Sequence, residues 1–290
     1  MRAFLQMVSD SQSTSTGPDV FAIVAAYNET DRIAATLAAL AEAFPGARLW
    51  VADDGSSDGT GAIAEAAGAT VVRSERVIGK GGAVTLAARQ ALEEIDREGL
   101  SNSESDDAPR ARAGHRPYEA HHPEEDSRPE REPVVMLCDG DLGESAARLG
   151  PLVEAVHKGE VDLAVAAFSK RVGGGFGLAI GFAHWAIRRR SGLKLRAPIS
   201  GQRALRAQTL AQVLPFAHGF GMEIGMTIDA ARAGARVGEI DLDLSHRATG
   251  RTLGGFVHRG RQLVDFVRVY LSRGRLVGDA GLESSEMPDR

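Results

Sequence analysis

Carboxylates recur in this chain directly after apolar runs. Residues 21–26 lead into Tyr27-Asn28-Glu29, residues 50–52 into Asp53-Asp54-Gly55-Ser56, and residues 134–138 into Asp139-Gly140-Asp141. An Asp-x-Asp at a strand end suits a hard divalent cation, Mg²⁺ or Mn²⁺, because such an ion takes one or two protein carboxylates and shares its other positions with phosphate oxygens and water. Asp139 and Asp141 are therefore candidate metal ligands. Asp53 and Asp54 form a second acidic pair, and uncompensated buried carboxylates are costly. A ligand donor such as a uracil N–H would satisfy one of them. Lys80 lies in Gly79-Lys80-Gly81-Gly82, which lacks the spacing and the Ser/Thr of a P-loop. At a helix amino terminus it could still meet a nucleotide diphosphate.

Further candidates lie downstream. Gly173-Gly174-Gly175-Phe176-Gly177 misses the dinucleotide spacing and reads as a loop near a ligand. In Ser200-Gly201-Gln202-Arg203, Arg203 could clamp a phosphate. Glu223 sits in the very apolar segment 219–225, where burial would demand a partner. Ser245-His246-Arg247 follows a strand-like run, which places His246 as a third metal ligand and Arg247 as a phosphate contact.

The elements needed to bring these residues together alternate along the chain. The run at 21–26 reads as a strand buried on both faces, and Ile33, Leu37, Leu40, Ala41 and Phe44 then recur at helical spacing. Strand, helix, strand, helix follow at 49–52, 58–67, 70–73 and 83–95, predicting a largely parallel sheet with right-handed crossovers. Beyond 134–138, helices are predicted at 149–157, 179–190, 205–213, 222–233 and 256–271, and strands at 163–168 and 237–244. In such an open α/β sheet the acids at the strand ends converge on one crevice.

The 290 residues, 43% of them apolar, suit one large core. We read 19–276 as the catalytic domain, 1–18 and 277–290 as flexible tails, and 97–133, nearly devoid of aliphatic residues, as a disordered insert. A net charge of −5 argues against a nucleic-acid partner. The lone Cys138 cannot form an intramolecular disulfide, which suits the cytoplasm. No run approaches the ~20 apolar residues of a membrane span. The apolar and arginine-bearing faces of 256–271 leave peripheral membrane contact open, and a homodimer is open too.

As an ordered set, Ala25-Ala26-Tyr27-Asn28-Glu29, Asp53-Asp54-Gly55-Ser56, Gly79-Lys80-Gly81 and Asp139-Gly140-Asp141 resemble family 2-like glycosyltransferases with the GT-A fold, over roughly residues 20–271. The resemblance implies metal-dependent transfer of a sugar from a nucleotide-diphosphate sugar, a UDP- or GDP-sugar. It puts Tyr27, Glu29, Asp54 and Lys80 in the nucleotide pocket and Asp139 and Asp141 at the metal and donor sugar. Ala26, Asp53 and Gly140 complete the donor-binding set. Segment 219–225 with His246-Arg247 resembles glucosyl-3-phosphoglycerate synthases, which implies that Glu223 faces the reacting sugar with Asp141 as its catalytic companion, and that Gly174 and Gly175 belong to an acceptor-phosphate loop with Arg247. Phe176 and Gly177 depart from that group's polar acceptor contacts. Ser200-Gly201-Gln202-Arg203-Ala204 is instead similar to a segment of dolichol-phosphate mannose synthases, whose arginine meets a polyprenyl phosphate. Both groups use a phosphorylated acceptor, small molecule or lipid. A non-catalytic nucleotide-sugar binding protein is the alternative from another class, against which Asp139, Asp141, Glu223 and His246 argue.

Overall fold

A computed structural model describes residues 20–105, 132–168, 177–217, 219–242 and 265–272. The chain order is β1 (Val20–Ala26), α1 (Ile33–Ala43), β2 (Arg48–Asp53), α2 (Thr60–Ala66), β3 (Thr70–Arg73), α3 (Lys80–Ser105), β4 (Val134–Asp139), a 3-10 segment (Gly143–Leu149) and α4 (Gly150–His157). There follow β5 (Leu163–Phe168), α5 (Gly177–Ser191), β6 (Arg203–Arg206), α6 (Ala207–Val213), a short 3-10 turn (Gly219–Gly221), α7 (Met222–Arg232), β7 (Val237–Leu242) and a helix at 265–272, α8.

One seven-stranded sheet, ordered β3-β2-β1-β4-β6-β5-β7, carries the fold. β6 runs antiparallel to both its neighbours, while the β1–β2, β1–β4, β2–β3 and β5–β7 pairs are parallel. This is the mixed, mostly parallel α/β sheet of the GT-A fold. Side chains alternate across it. Val24, Val51 and Met136 pack under α1 and α4 on one face, and Ile23, Ala52 and Leu137 under α3, α6 and α7 on the other. A third apolar cluster joins α5, α7 and α8 through Ile187, Ile224, Ile228, Phe266 and Val269.

Two sequence expectations change. Residue 205 belongs to β6, and the helix starts only at Ala207. A four-residue strand is too short to show its alternation, so Ala204 and Leu205 merge with the apolar positions of the helix that follows. The second change concerns α3, which continues to Ser105, inside the segment expected to be disordered from 97. The start of that extension is tied to β2 by ion pairs: Arg48 reaches Glu94 at 3.2 Å and Glu98 at 2.8 Å. Residues 106–131 of that insert, and both expected tails, lie outside the described residues.

At the edge away from the acids, Asp162 ties β5, β6 and β7 together. It accepts from Arg236 Nε at 3.0 Å and Nη2 at 2.8 Å, and from Arg206 Nε at 3.1 Å. The Arg236 hydrogen bonds outweigh burial and hold its carboxyl down at about 2. A depressed folded-state pKa means a contribution that is complete above the ordinary carboxylate range and lost as pH falls toward 2. Asp162→Asn is therefore expected to lower stability by ~2 kcal/mol at neutral pH, with the gap from wild type closing below about pH 4 in denaturant titrations.

Candidate active site

The strand order reverses between β1 and β4, and there the acids gather. Ala25 is in register with both Ala52 and Asp139, and Ala26 with Asp53, so the three acidic loops leave the sheet at one level. Main-chain bonds join them, Gly140 N to Ala25 O at 2.8 Å and Asp54 N to Ala26 O at 3.0 Å. The 27–29 loop is laced to the turn before α2: Asn28 N donates to Ser56 Oγ at 3.0 Å, Ser57 N to Asn28 Oδ1 at 3.0 Å and Glu29 N to Thr60 Oγ1 at 2.8 Å. Asn28 takes a left-handed conformation (φ 56°), which asparagine tolerates. From α1, Thr36 Oγ1 donates to Gly140 O and accepts from Gly143 N, both at 2.8 Å. Arg32 Nη1 donates to Asp141 O at 2.9 Å. The Asp139-Gly140-Asp141 turn is thus fastened by main-chain and α1 contacts, leaving the Asp141 side chain exposed.

The two adjacent aspartates have separate duties. Asp53, on the face shared with Val51, is fully buried; its Oδ1 accepts from Ser56 N at 2.9 Å and its Oδ2 lies 3.6 Å from Arg73 Nε. It caps its own turn and is sealed from ligand, which corrects its expected place in the donor site. Asp54 points toward α3. It accepts from Ile78 N at 2.7 Å and from Gly79 N at 2.9 Å, and so anchors the loop that delivers Lys80. These main-chain donors stand where a uracil N–H was expected.

Lys80 is the centre of the constellation. Its Nζ lies 2.6 Å from Asp139 Oδ1 and 2.9 Å from Glu223 Oε1. Burial works against the ammonium, but Asp139 and then Glu223 outweigh it and raise the pKa, so the lysine stays charged. The convergence follows from parity: Asp139 continues the sheet face of Val135 and Leu137, which α3 and α7 cover. The starts of those helices approach closely, because a Cβ on Gly79 would lie 3.3 Å from Gly219 N. Gln202, 2% exposed, completes the cluster by donating from Nε2 to Asp139 Oδ2 at 2.7 Å.

Sequence reasoning selects Arg203 for chemistry and misses its neighbour Gln202. Arg203 is fully buried in β6, beneath α7, with Nε donating to Ser200 O at 2.9 Å, Nη1 to Thr227 Oγ1 at 2.9 Å and Nη2 to Pro198 O at 3.2 Å. Burial lowers its pKa to about 10, which leaves it cationic, with Glu223 and Glu239 opposing the shift. It is a structural arginine; the expected acceptor-phosphate clamp is corrected. Only alternation could have separated the two residues, since neighbours in extended chain diverge. Gly201 explains the tight approach: a Cβ there would stand 2.5 Å from Asp139 Oδ2 and 2.7 Å from Lys80 Nζ. Gly201→Ala is expected to displace these groups and reduce kcat/KM by about a hundredfold, checked against an unchanged far-UV spectrum.

Glu29 completes the acidic side. Burial first, then Asp141 and Asp139, push its carboxyl above the ordinary range, with Arg32 opposing. The excess negative charge at the β1 and β4 ends is what a divalent cation would relieve, and the exposed Asp141 can reach one. Among the described residues no group of three or more His, Cys, Asp or Glu forms a ready cage. Magnesium needs no such cage when phosphates supply its other ligands. Tyr27, half-exposed, and Val77, exposed on the loop anchored by Asp54, border the same strand ends. His246, Arg247, Gly174 and Gly175 lie outside the described residues.

Comparison with known proteins agrees with this geometry. Residues 21–95, which carry two of the strand-end motifs and Lys80, match glycosyl transferase family 2. The chain is 28% identical to an undecaprenyl-phosphate mannosyltransferase of Micrococcus luteus over 272 residues, covering 86% of this chain and 93% of the relative. It also resembles glucosyl-3-phosphoglycerate synthase of Mycobacterium tuberculosis solved with Mn²⁺, UDP-glucose and phosphoglyceric acid (TM-score 0.58, 25% identity, 89% of this chain and 80% of that one). The same enzyme with Mn²⁺, UDP and phosphoglyceric acid gives a TM-score of 0.60 at 26% identity, covering 89% and 78% of the two chains. With Asp139, Lys80 and Glu223 joined at the switch point of such a sheet, the chain is a nucleotide-sugar-dependent glycosyltransferase of the GT-A fold, similar over its first strands and helices to family 2.

Proposed function

We propose that this enzyme moves a sugar from a nucleotide-diphosphate donor to a small phosphorylated acceptor, in the manner of a glucosyl-3-phosphoglycerate synthase. The observation that carries the reading is the Lys80 bridge: one ammonium holds Asp139, on the donor side, against Glu223, the carboxylate at the start of α7. Tyr27 offers a face to the base, and Asp54 positions the loop beside it. Asp141, with Asp139, would hold Mg²⁺ or Mn²⁺, and His246 is the expected third ligand. When bound, the ion supplies Lewis-acid stabilisation of the charge that develops on the departing nucleotide diphosphate. Lys80 adds fixed positive charge beside the same acids, and Gln202 keeps Asp139 in one orientation. Glu223, nine-tenths enclosed, lies where the acceptor side of the sugar would be. The M. tuberculosis neighbour with UDP-glucose and phosphoglyceric acid supports this acceptor class. The buried, reduced Cys138 is in keeping with a cytoplasmic enzyme.

A second reading, a polyprenyl phosphate acceptor, is favoured by the M. luteus relative, which this chain matches over most of its length. The arginine segment that also suggested it is structural in this fold. A donor-by-acceptor screen decides: UDP-glucose and GDP-mannose, each against 3-phosphoglycerate and a short-chain polyprenyl phosphate, with Mg²⁺ or Mn²⁺ and with EDTA. Transfer to 3-phosphoglycerate that EDTA abolishes is expected. Transfer to the polyprenyl phosphate alone would replace the first reading with the second, and binding without turnover in every combination would leave a nucleotide-sugar binding protein.

A further inference from the structure

The third apolar cluster ends at a surface that water should not favour. On α5 and α8, Phe182, Trp185 and Tyr270 form a contiguous aromatic group, with Trp185 and Tyr270 centroids 4.7 Å apart and Phe182 edge-on to Tyr270 at 6.1 Å. The Arg190 guanidinium lies 4.0 Å over the Tyr270 ring. This cluster is open to solvent: Trp185 is 50% exposed, and on α8 Val267 and Leu271, one turn apart, are 36% and 67% exposed. Single exposed apolar residues need no explanation, but a contiguous group does.

Charge names the partner. Arg188 and Arg189 are exposed and lie three and four positions after Trp185, on its helix face. Arg190 is beside them, Lys194 is exposed just beyond, and Arg268 on α8 is 77% exposed at its side chain. α5 contains no acid, and the one on the described turns of α8, Asp265, faces Arg268 at 3.6 Å and the Gly219 turn. A chain with a net charge of −5 thus concentrates cations around the exposed Trp185 and its part-buried aromatic neighbours. Aromatic rings flanked by arginines suit the headgroup layer of an anionic bilayer. Among the described residues no helix is long and apolar enough to cross a membrane. The patch also adjoins the site, because α8 packs on the Gly219–Gly221 turn that opens α7 and its Glu223.

We infer that the α5–α8 face docks the enzyme peripherally on an anionic lipid surface, with Trp185, Val267 and Leu271 entering the headgroup region and Arg188, Arg189 and Arg268 meeting lipid phosphates. The inference is independent of which acceptor takes the sugar, and its test contains neither donor nor acceptor. The full chain is sedimented with phosphatidylcholine vesicles made with and without phosphatidylglycerol. Binding to the anionic vesicles alone is expected, weakening as salt rises. Trp185 fluorescence should shift to the blue on binding, since the other tryptophan, Trp50, is in the core. Arg188→Glu with Arg189→Glu, at exposed positions, should lower partitioning by at least ~tenfold, and Leu271→Ser should lower it as well, both with unaltered thermal unfolding. A chain that stays in the supernatant with both vesicle types, or variants that sediment like the parent, would overturn the inference. So would binding to soluble polyglutamate as tight as to vesicles without a blue shift, which would mark an acidic-protein surface instead.

Discussion

Asp141→Ala is expected to lower metal-dependent turnover by at least ~10³-fold, because Lewis-acid stabilisation of a departing diphosphate is worth several kcal/mol, and each 1.36 kcal/mol is a factor of ten in rate. The fold should not notice. The side chain is exposed, and the turn that carries it is held by Thr36 through Gly140 O and Gly143 N and by Arg32 through the Asp141 carbonyl, none of which the substitution removes. Unfolding should therefore stay within ~0.5 kcal/mol of wild type. Turnover measured across a Mn²⁺ or Mg²⁺ titration separates the alternatives, and near-normal rates in the variant would remove Asp141 from the metal site.

Lys80→Met should damage both stability and catalysis. The substitution leaves Asp139 and Glu223, each within 3 Å of the missing ammonium, facing one another without a cation, and breaking such a pair costs ~3–5 kcal/mol when fully buried. Because the Lys80 side chain keeps 29% of its exposure, we expect the lower end, ~2–3 kcal/mol of stability, and about a hundredfold loss in kcat/KM. Adding Glu223→Gln to Lys80→Met should restore part of the stability and none of the activity. That split distinguishes a group acting in the site from one that only supports it; recovery of both, or of neither, would contradict the roles of Lys80 and Glu223. Lys80→Arg should not substitute, because a planar fork cannot place one donor point between two carboxylates that converge on it.

The sequence by itself determined the sheet and the level of its acids. Apolar runs ending in Glu29, Asp53-Asp54 and Asp139 dictate parallel strands buried on both faces, and in that topology the runs must deliver their carboxylates to one edge. These are local properties, carried by residues adjacent in the chain. What tertiary structure decided is which neighbour in each motif faces the crevice. Asp53 and Asp54 look alike as letters, yet strand parity turns the first into a buried turn cap and the second toward α3. Gln202, not the expected Arg203, reaches the site for the same reason, the arginine being drawn under α7 by three acceptors while the amide reaches Asp139. The Lys80 bridge was out of reach of any motif: its partners stand 59 and 143 residues away, and only the close approach of α3 and α7 at Gly79 and Gly219 brings them to one point. Periodicity fixes the face a residue takes within its own element, but the contact made across that face depends on how separate elements pack, and packing is a property of the whole chain.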